Sequence, residues 1–247
     1  MDITKEQLDI YLNSLTMYHS DYKIRMGNKL DGGYIISDAP NLQNYDFLLS
    51  AGVGGDIGFE KAFTEKYNVN CVAFDGTEGS GHELCRNESR INYVNKNLGI
   101  NWNDKEENWS NYFQMYDDIF VKMDIEGHEW QYFKYLPDNF LMKIKQMSLE
   151  FHYPLNDIEK FKVLQRLANT HYLIHFHVNN SNPPHFMFGK LIPSVFECTY
   201  VRKDMLDNPS LNVKALPTIL DNINVENNID YSINCEPWVH SYYYNKK

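Results

Sequence analysis

The chain of 247 residues is poor in the features that would place it in several large classes. It has four cysteines, Cys71, Cys85, Cys198 and Cys235, widely spaced and without a C-x-x-C pair, which excludes a zinc knuckle and gives no sign of a disulfide framework. No uninterrupted apolar stretch approaches the roughly 20 residues that span a bilayer. No run of lysine or arginine offsets a formal charge of -10, from 23 basic against 33 acidic side chains, and this opposes a polyanion-binding face. The first residues, MDITKEQLDIYLNSL, lack the basic start and apolar run of a secretory signal; Leu8, Tyr11, Leu12 and Leu15 instead mark a capped surface helix. Sequons such as Asn87-Glu88-Ser89 arise easily by chance in an asparagine-rich chain. No internal repeat is present. These absences point to a reducing cytoplasm, no membrane span and no nucleic-acid partner.

What is there is 43% hydrophobic and 15% aromatic content, enough for one sizeable core. After the first helix, Asp31-Gly32-Gly33 precedes an apolar run and reads as a hairpin turn or close-approach loop. From Tyr45 the pattern alternates: strand Phe47 to Ala51, helix Ile57 to Tyr67, strand Asn70 to Phe74, a glycine-rich loop from Gly76 to Gly81, and a strand near Ile91 to Asn95. A polar, tryptophan-containing stretch follows. Then come strand Ile119 to Met123, helix His128 to Tyr135, strand Met147 to Phe151, helix Asp157 to Asn169, strand Tyr172 to Val178 and a last strand near Phe196 to Val201. Such alternation predicts an α/β fold with a mostly parallel, doubly wound sheet. The last two strands are joined without a crossover helix, which predicts antiparallel neighbours. The division expected is an N-terminal helix and covering loop over 1–44, a core over 45–206, and a tail over 207–247 packed back on it, within a single domain overall.

The stretch FLLSAGVGGDIGFEKAF is a buried strand delivering a glycine turn into a helix. In an open α/β sheet ligands bind outside the carboxyl ends of the strands, where such a turn exposes free backbone N–H groups. Gly52, Gly54, Gly55 and Asp56 lie there, and Asp75 closes the next strand 21 residues beyond Gly54, where a carboxylate can accept two ribose hydroxyls. A dinucleotide site wants a third glycine beneath its pyrophosphate, and that place is held by Ile57. S-adenosylmethionine (AdoMet) has no pyrophosphate and does not need it. A second constellation, IFVKMDIEGHEW, ends a strand in Asp124 and opens a helix with Glu126-Gly127; the next strand ends in Glu150 and His152, which share a face. Converging beside Asp124, these two would supply a general base or a hard-metal site. Each also has a bland reading: the glycines as a tight turn, Asp75 as a loop cap, the acids as helix caps.

The motifs DGGY, GVGGDIGFE, AFD, VKMDIEGHEW and LEFH, in this order from about Arg25 to about Val201, resemble those of the FkbM-like and related AdoMet-dependent methyltransferases. The resemblance implies a class I methyltransferase fold, a seven-stranded sheet whose last strand is antiparallel, and O-methylation, often of sugars. It further implies that Gly52, Gly54 and Asp56 line the amino-acid end of AdoMet, Asp75 its ribose, and Asp124 the region between cofactor and acceptor. Asp31, Gly32 and Gly33 match a loop that closes over the cofactor. Val53 and Gly55 depart from the plain G-A-x-x-G turn and leave the subfamily, and with it the acceptor, open.

Methyl transfer needs alignment and help for a weakly acidic hydroxyl. The expected base is His152 or Glu150, with Asp124 as orienter; a magnesium or manganese ion on Asp124 and Glu150 is the alternative. Tyr112, Phe113, Trp130, Tyr153 and Phe186 are candidates for a sugar-stacking wall, though aromatics at such spacings are mostly core. His175 and His177 read as a satisfied strand-end pair, and Asn179 and Asn180 as acceptor contacts. Two rivals stand: a nicotinamide-dependent oxidoreductase, opposed by Ile57 and by the lack of a Tyr-x-x-x-Lys relay, and a non-catalytic glycan-binding module, opposed by the intact Asp124, Glu150 and His152.

Overall fold

In the computed structural model, residues 3–77, 80–101, 103 and 105–241 are described. Thr4 starts the first helix, α1 (Lys5–Ser14), with a capping box in which its hydroxyl accepts from Gln7 N and the Gln7 side chain accepts from Thr4 N. Leu8, Tyr11, Leu12 and Leu15 are buried as their spacing predicts, with Tyr11 against Phe161 at 4.9 Å. A short hairpin follows, β1 (Lys23–Met26) with β2 (Tyr34–Ser37), and the Asp31-Gly32-Gly33 turn lies between them.

Next come β3 (Phe47–Ala51), α2 (Gly58–Tyr67), β4 (Asn70–Phe74), α3 (Ser80–Cys85), β5 (Ile91–Val94), the two-residue strands β6 (Asn97–Leu98) and β7 (Glu106–Glu107), α4 (Ser110–Met115) and β8 (Ile119–Met123). The second half contains α5 (Glu129–Tyr135), α6 (Asp138–Leu141), β9 (Ile144–His152), α7 (Glu159–Thr170), β10 (His171–Val178), the small hairpin β11 (His185–Met187) with β12 (Lys190–Ile192), and β13 (Val195–Arg202).

Seven strands form the central sheet in the order β10-β13-β9-β8-β3-β4-β5. The contacts among β9, β8, β3, β4 and β5 are parallel, and β13 runs antiparallel to both β9 and β10. This is the α/β doubly wound sheet expected of a class I methyltransferase, antiparallel last strand included. Its central strands are buried on both faces, which is why they read as continuous apolar runs.

Several local expectations change. β9 begins at Ile144 rather than Met147, because Lys145 and Gln146, polar in sequence, are buried and satisfied: Lys145 Nζ donates to Asn44 O (2.7 Å), and the Gln146 amide bonds Ser37 and Tyr45. The helices α3, α4 and α6 are too short to show a period. The link between β10 and β13 holds its own hairpin, turning at Phe188 and Gly189 with positive φ. Of the loop expected over 76–81, residues 78 and 79 lie outside the described residues and α3 begins at Ser80; of the tryptophans in the polar stretch, Trp102 lies outside them and Trp109 is buried.

Leu216, Ile233 and Trp238 of the tail belong to the same core as α1 and the central strands, with Trp238 packed on Phe176 at 4.8 Å. Among the described residues all four cysteines are free, and no helix is long and apolar enough to cross a membrane. The chain turns at Gly52, Asp75 and Asp124 put the carboxyl ends of β3, β4 and β8 around one cavity.

Candidate functional site

The cavity encloses about 570 Å³, within the usual range for a small-molecule or cofactor site. Its floor is built by a backbone crossing. Gly52, at φ +73°, passes so near the chain after β8 that a Cβ there would lie 1.5 Å from the carbonyl oxygen of Asp124. Only glycine permits both the angle and the approach. Lys122 locks the crossing from below, its buried ammonium donating to Gly52 O at 2.6 Å. Gly54 and Gly55 differ: a Cβ on either would meet no atom within 4 Å, so both leave open room at the cavity wall.

Asp75 stands at the cavity edge, where Oδ2 accepts from Gly54 N (2.7 Å) and Oδ1 from the amide and hydroxyl of Thr77 (2.8 and 2.6 Å). It therefore ties the two turns together as well as facing the cavity. Asp56 accepts from Gly58 N (2.7 Å) at the start of α2, and from the Asn28 amide (2.8 and 3.0 Å) on the hairpin loop. Asp31 and Gly32 of that loop line the cavity. Gly33 does not: it is buried within the loop, where a Cβ would lie 2.2 Å from Asn28 O.

At the other end Asp124 lines the wall, its side chain 22% exposed. Burial pushes its carboxyl up to about 7, against the pull of Lys122 and His152. His152 lies beneath, 5% exposed, with Nε2 at 3.9 Å from Asp124, 3.5 Å from Glu126 and 3.5 Å from Glu150. Its Nδ1 faces the wholly buried Glu129 at 3.3 Å, an ion-pair contact without hydrogen-bond alignment. Burial works against the charged ring, but Glu129, with Asp124 and Glu126, more than offsets it, so the imidazole titrates above its usual value. Glu129 is held in turn by Ile125 N (2.7 Å), and Trp130 Nε1 donates to His152 O (2.6 Å). Glu150, 4% exposed, accepts from the Asn179 amide at 2.9 Å; burial and then the neighbouring Asp124, Glu197, Asp31 and Glu129 push its carboxyl well up.

Asp124, Glu150 and His152 thus come together, one ligand atom of each within 4.8 Å of the others, a donor set able to hold a cation. Of the three, Asp124 lines the cavity, while Glu150 and His152 lie behind it. The aromatic wall does not assemble among the described residues. Phe113 and Trp130 are core, Tyr112 stacks on Phe47, and Tyr153 and Phe186 are exposed away from the lining. Asn179 and Asn180 are buried ties, the latter clamping Val225 and Asn228 of the tail, rather than cavity contacts. His175 pairs with Asp221 at 2.8 Å, and His177 stands 3.5 Å from Glu197 and 3.4 Å from Asp230.

Sequence reasoning missed Lys122, Glu129, Thr77 and Asn28. Lys122 carried a usable signal, a lone ammonium inside an apolar strand; Asn28 carried none, since its partner is 28 residues away.

No family model matches the chain, and no curated protein does. Solved structures do. The chain is 12% identical to the fibrillarin/Nop5p complex over 76% of this chain and 92% of that one, with a TM-score of 0.41. It is 11% identical to precorrin-6y C5,15-methyltransferase from Geobacter metallireducens over 66% and 84% (TM-score 0.39), and 16% identical to spermidine synthase from Thermotoga maritima over 76% and 74% (TM-score 0.36). Likenesses at this level carry nothing about activity, which has to come from the site's own geometry.

Proposed function

We propose that the chain is an AdoMet-dependent O-methyltransferase acting on a hydroxyl of a sugar or glycan. The observation that carries the reading is the charge of the cavity. Asp31, Asp56, Asp75, Glu106, Asp124 and Glu126 line it, and among the described residues Lys122 is its one ammonium, committed to Gly52 O. Such a wall suits a ligand with a sulfonium and an amino group and disfavours the pyrophosphate of a nicotinamide dinucleotide.

The residues present fit AdoMet. Gly54 and Gly55 leave space that any side chain would fill, Asp75 offers a carboxylate to ribose hydroxyls, and Leu98 and Ile100 supply an apolar wall for a base. AdoMet, when bound, supplies a methyl group activated by its positive sulfur. Asp124 is the group placed to take the proton of an acceptor hydroxyl, since it faces the cavity and burial keeps its carboxyl basic near neutral pH. His152 favours the charged carboxylate from behind, and Glu129 favours the charged form of that imidazole. An uncharged acceptor agrees with the -10 charge and with a lining in which, among the described residues, the one ammonium is already engaged.

The proximity of Asp124, Glu150 and His152 also supports a divalent cation acting as Lewis acid on the hydroxyl. Incubation with labelled AdoMet and a panel of sugars, nucleotide sugars and glycans, with and without chelator, tests both. Transfer to a sugar hydroxyl that survives chelation is expected if Asp124 is the base. No AdoMet binding by calorimetry, or binding of NAD in its place, would remove the reading.

A further inference from the structure

A second cluster lies one strand beyond this site. Glu150 on β9 and Glu197 on β13 are direct cross-strand partners, 4% and 6% exposed. Like charges opposite one another on a sheet destabilise it, and burial raises the cost. Their neighbours meet this only in part. Glu150 Oε1 accepts from Asn179 (2.9 Å) and stands 3.5 Å from His152 Nε2. Glu197 Oε2 is 3.5 Å from His177 Nδ1, and Oε1 accepts from the Asn224 amide at 2.5 Å. A third carboxylate, Asp31 of the β1–β2 loop, joins them, and one oxygen from each of Asp31, Glu150 and Glu197 lies within 4.8 Å of the other two.

One further observation says what is missing. Oε2 of Glu150, on a residue 4% exposed, is a buried oxygen with no hydrogen-bond donor. Buried polar atoms are nearly always satisfied, and an orphaned carboxylate oxygen beside two further carboxylates lacks a positive partner. The near ammonium, Lys122, is already engaged at Gly52 O. The Asn224 amide itself reaches both Glu197 and, at 3.4 Å, Asp31.

We propose that Asp31, Glu150 and Glu197 hold a hard divalent cation, calcium or magnesium, with the Asn224 carbonyl as a further oxygen ligand after its amide turns over. The donor set is all oxygen, which selects such ions over zinc or copper. Calcium, with bonds of about 2.3–2.6 Å, bridges oxygens up to 4.8 Å apart as they stand, whereas magnesium, at about 2.0–2.1 Å, needs them to draw closer. Its four ligands come from the hairpin loop, two sheet strands and the tail. The ion therefore fastens the loop and the tail to the sheet. Because Asp31 and Gly32 also line the cavity, occupancy sets the position of the cavity rim. The site stands independently of the methyl-transfer reading.

The test is calorimetric titration of the full chain, stripped with chelator, using calcium, magnesium and manganese chlorides, with thermal unfolding alongside. One ion per chain is expected, with a raised Tm on saturation. Glu197→Gln, which keeps shape, and Asp31→Asn, at an exposed position, should each weaken binding about tenfold or more and abolish the Tm shift. Asp124→Asn should bind close to the parent. The absence of saturable binding in the parent overturns the proposal. So does an affinity lost in Asp124→Asn but kept in Glu197→Gln, which would put the ion on Asp124, Glu150 and His152. A separate AdoMet titration of the same proteins reads the cofactor assignment by itself.

Discussion

The carboxylate of Asp124 and the imidazole of His152 stand 3.9 Å apart across the wall of the cavity, Asp124 on the open side and His152 beneath. The histidine favours the charged form of the carboxylate, and burial opposes it. With Asp124 as base, turnover should rise with pH through about 7 and then level, since the base must be unprotonated. Asp124→Asn should lower turnover by about 10²-fold or more with AdoMet affinity near the parent's. His152→Gln removes the positive neighbour, so its pH–rate profile should move to higher pH. A profile unchanged in both variants would take the proton transfer away from this pair.

Asp75 joins the glycine turn to Thr77 and faces the ligand space. Asp75→Ala should weaken AdoMet binding by at least about tenfold, because charge-assisted bonds are worth about 1.5–3 kcal/mol. Cooperative unfolding should persist, since the residue lies at the cavity edge rather than in the core. Unchanged affinity by calorimetry would show that Asp75 serves only the turn.

Gly52→Ala forces a Cβ into the Asp124 carbonyl at a positive φ. The expected loss is on the order of 3 kcal/mol or more, with ligand binding lost as the crossing is displaced. Gly55→Ala meets open space and should leave stability near the parent's while obstructing the ligand. Urea unfolding of the two variants, paired with AdoMet titration, separates the packing glycine from the ligand-facing one.

His171 is buried, with Nε2–H donating to Ile144 O at 2.9 Å and Nδ1 accepting from the Thr170 hydroxyl at 2.8 Å. Burial pushes its pKa from 6.5 down to about 4. The unfolded chain therefore takes up the proton first. Stability from this residue is complete above about pH 6.5 and is lost as pH falls toward 4, by about 3 kcal/mol. Urea unfolding between pH 7 and 4, with a shallower slope in His171→Gln than in the parent, is the expected result.

Trp238 of the tail is 1% exposed and packs on Phe176. Trp238→Ala should cost about 3–5 kcal/mol, a core-sized loss, and lower Tm in a single transition. A loss within about 0.5 kcal/mol would mark the tail as an appendage.

Local patterns were legible in the residues alone. Phe47–Ala51, Asn70–Phe74 and Ile119–Met123 could be read with their bounds, because parallel strands buried on both faces are unbroken apolar runs ended by glycine or acid. The same local chemistry marked Gly52, Asp75 and Asp124 as ligand-facing, since each ends a strand. Depth was not legible. The sequence places Glu150 and His152 on one strand face with Asp124 nearby, yet only tertiary packing decides that Asp124 alone reaches the cavity while the other two lie below. The meeting of Glu150 with Glu197 and Asp31, and of Asn224 with the latter two, is equally hidden. It joins a loop, two strands and the tail across separations of up to 193 residues, and no local spacing encodes a contact that chain topology alone creates.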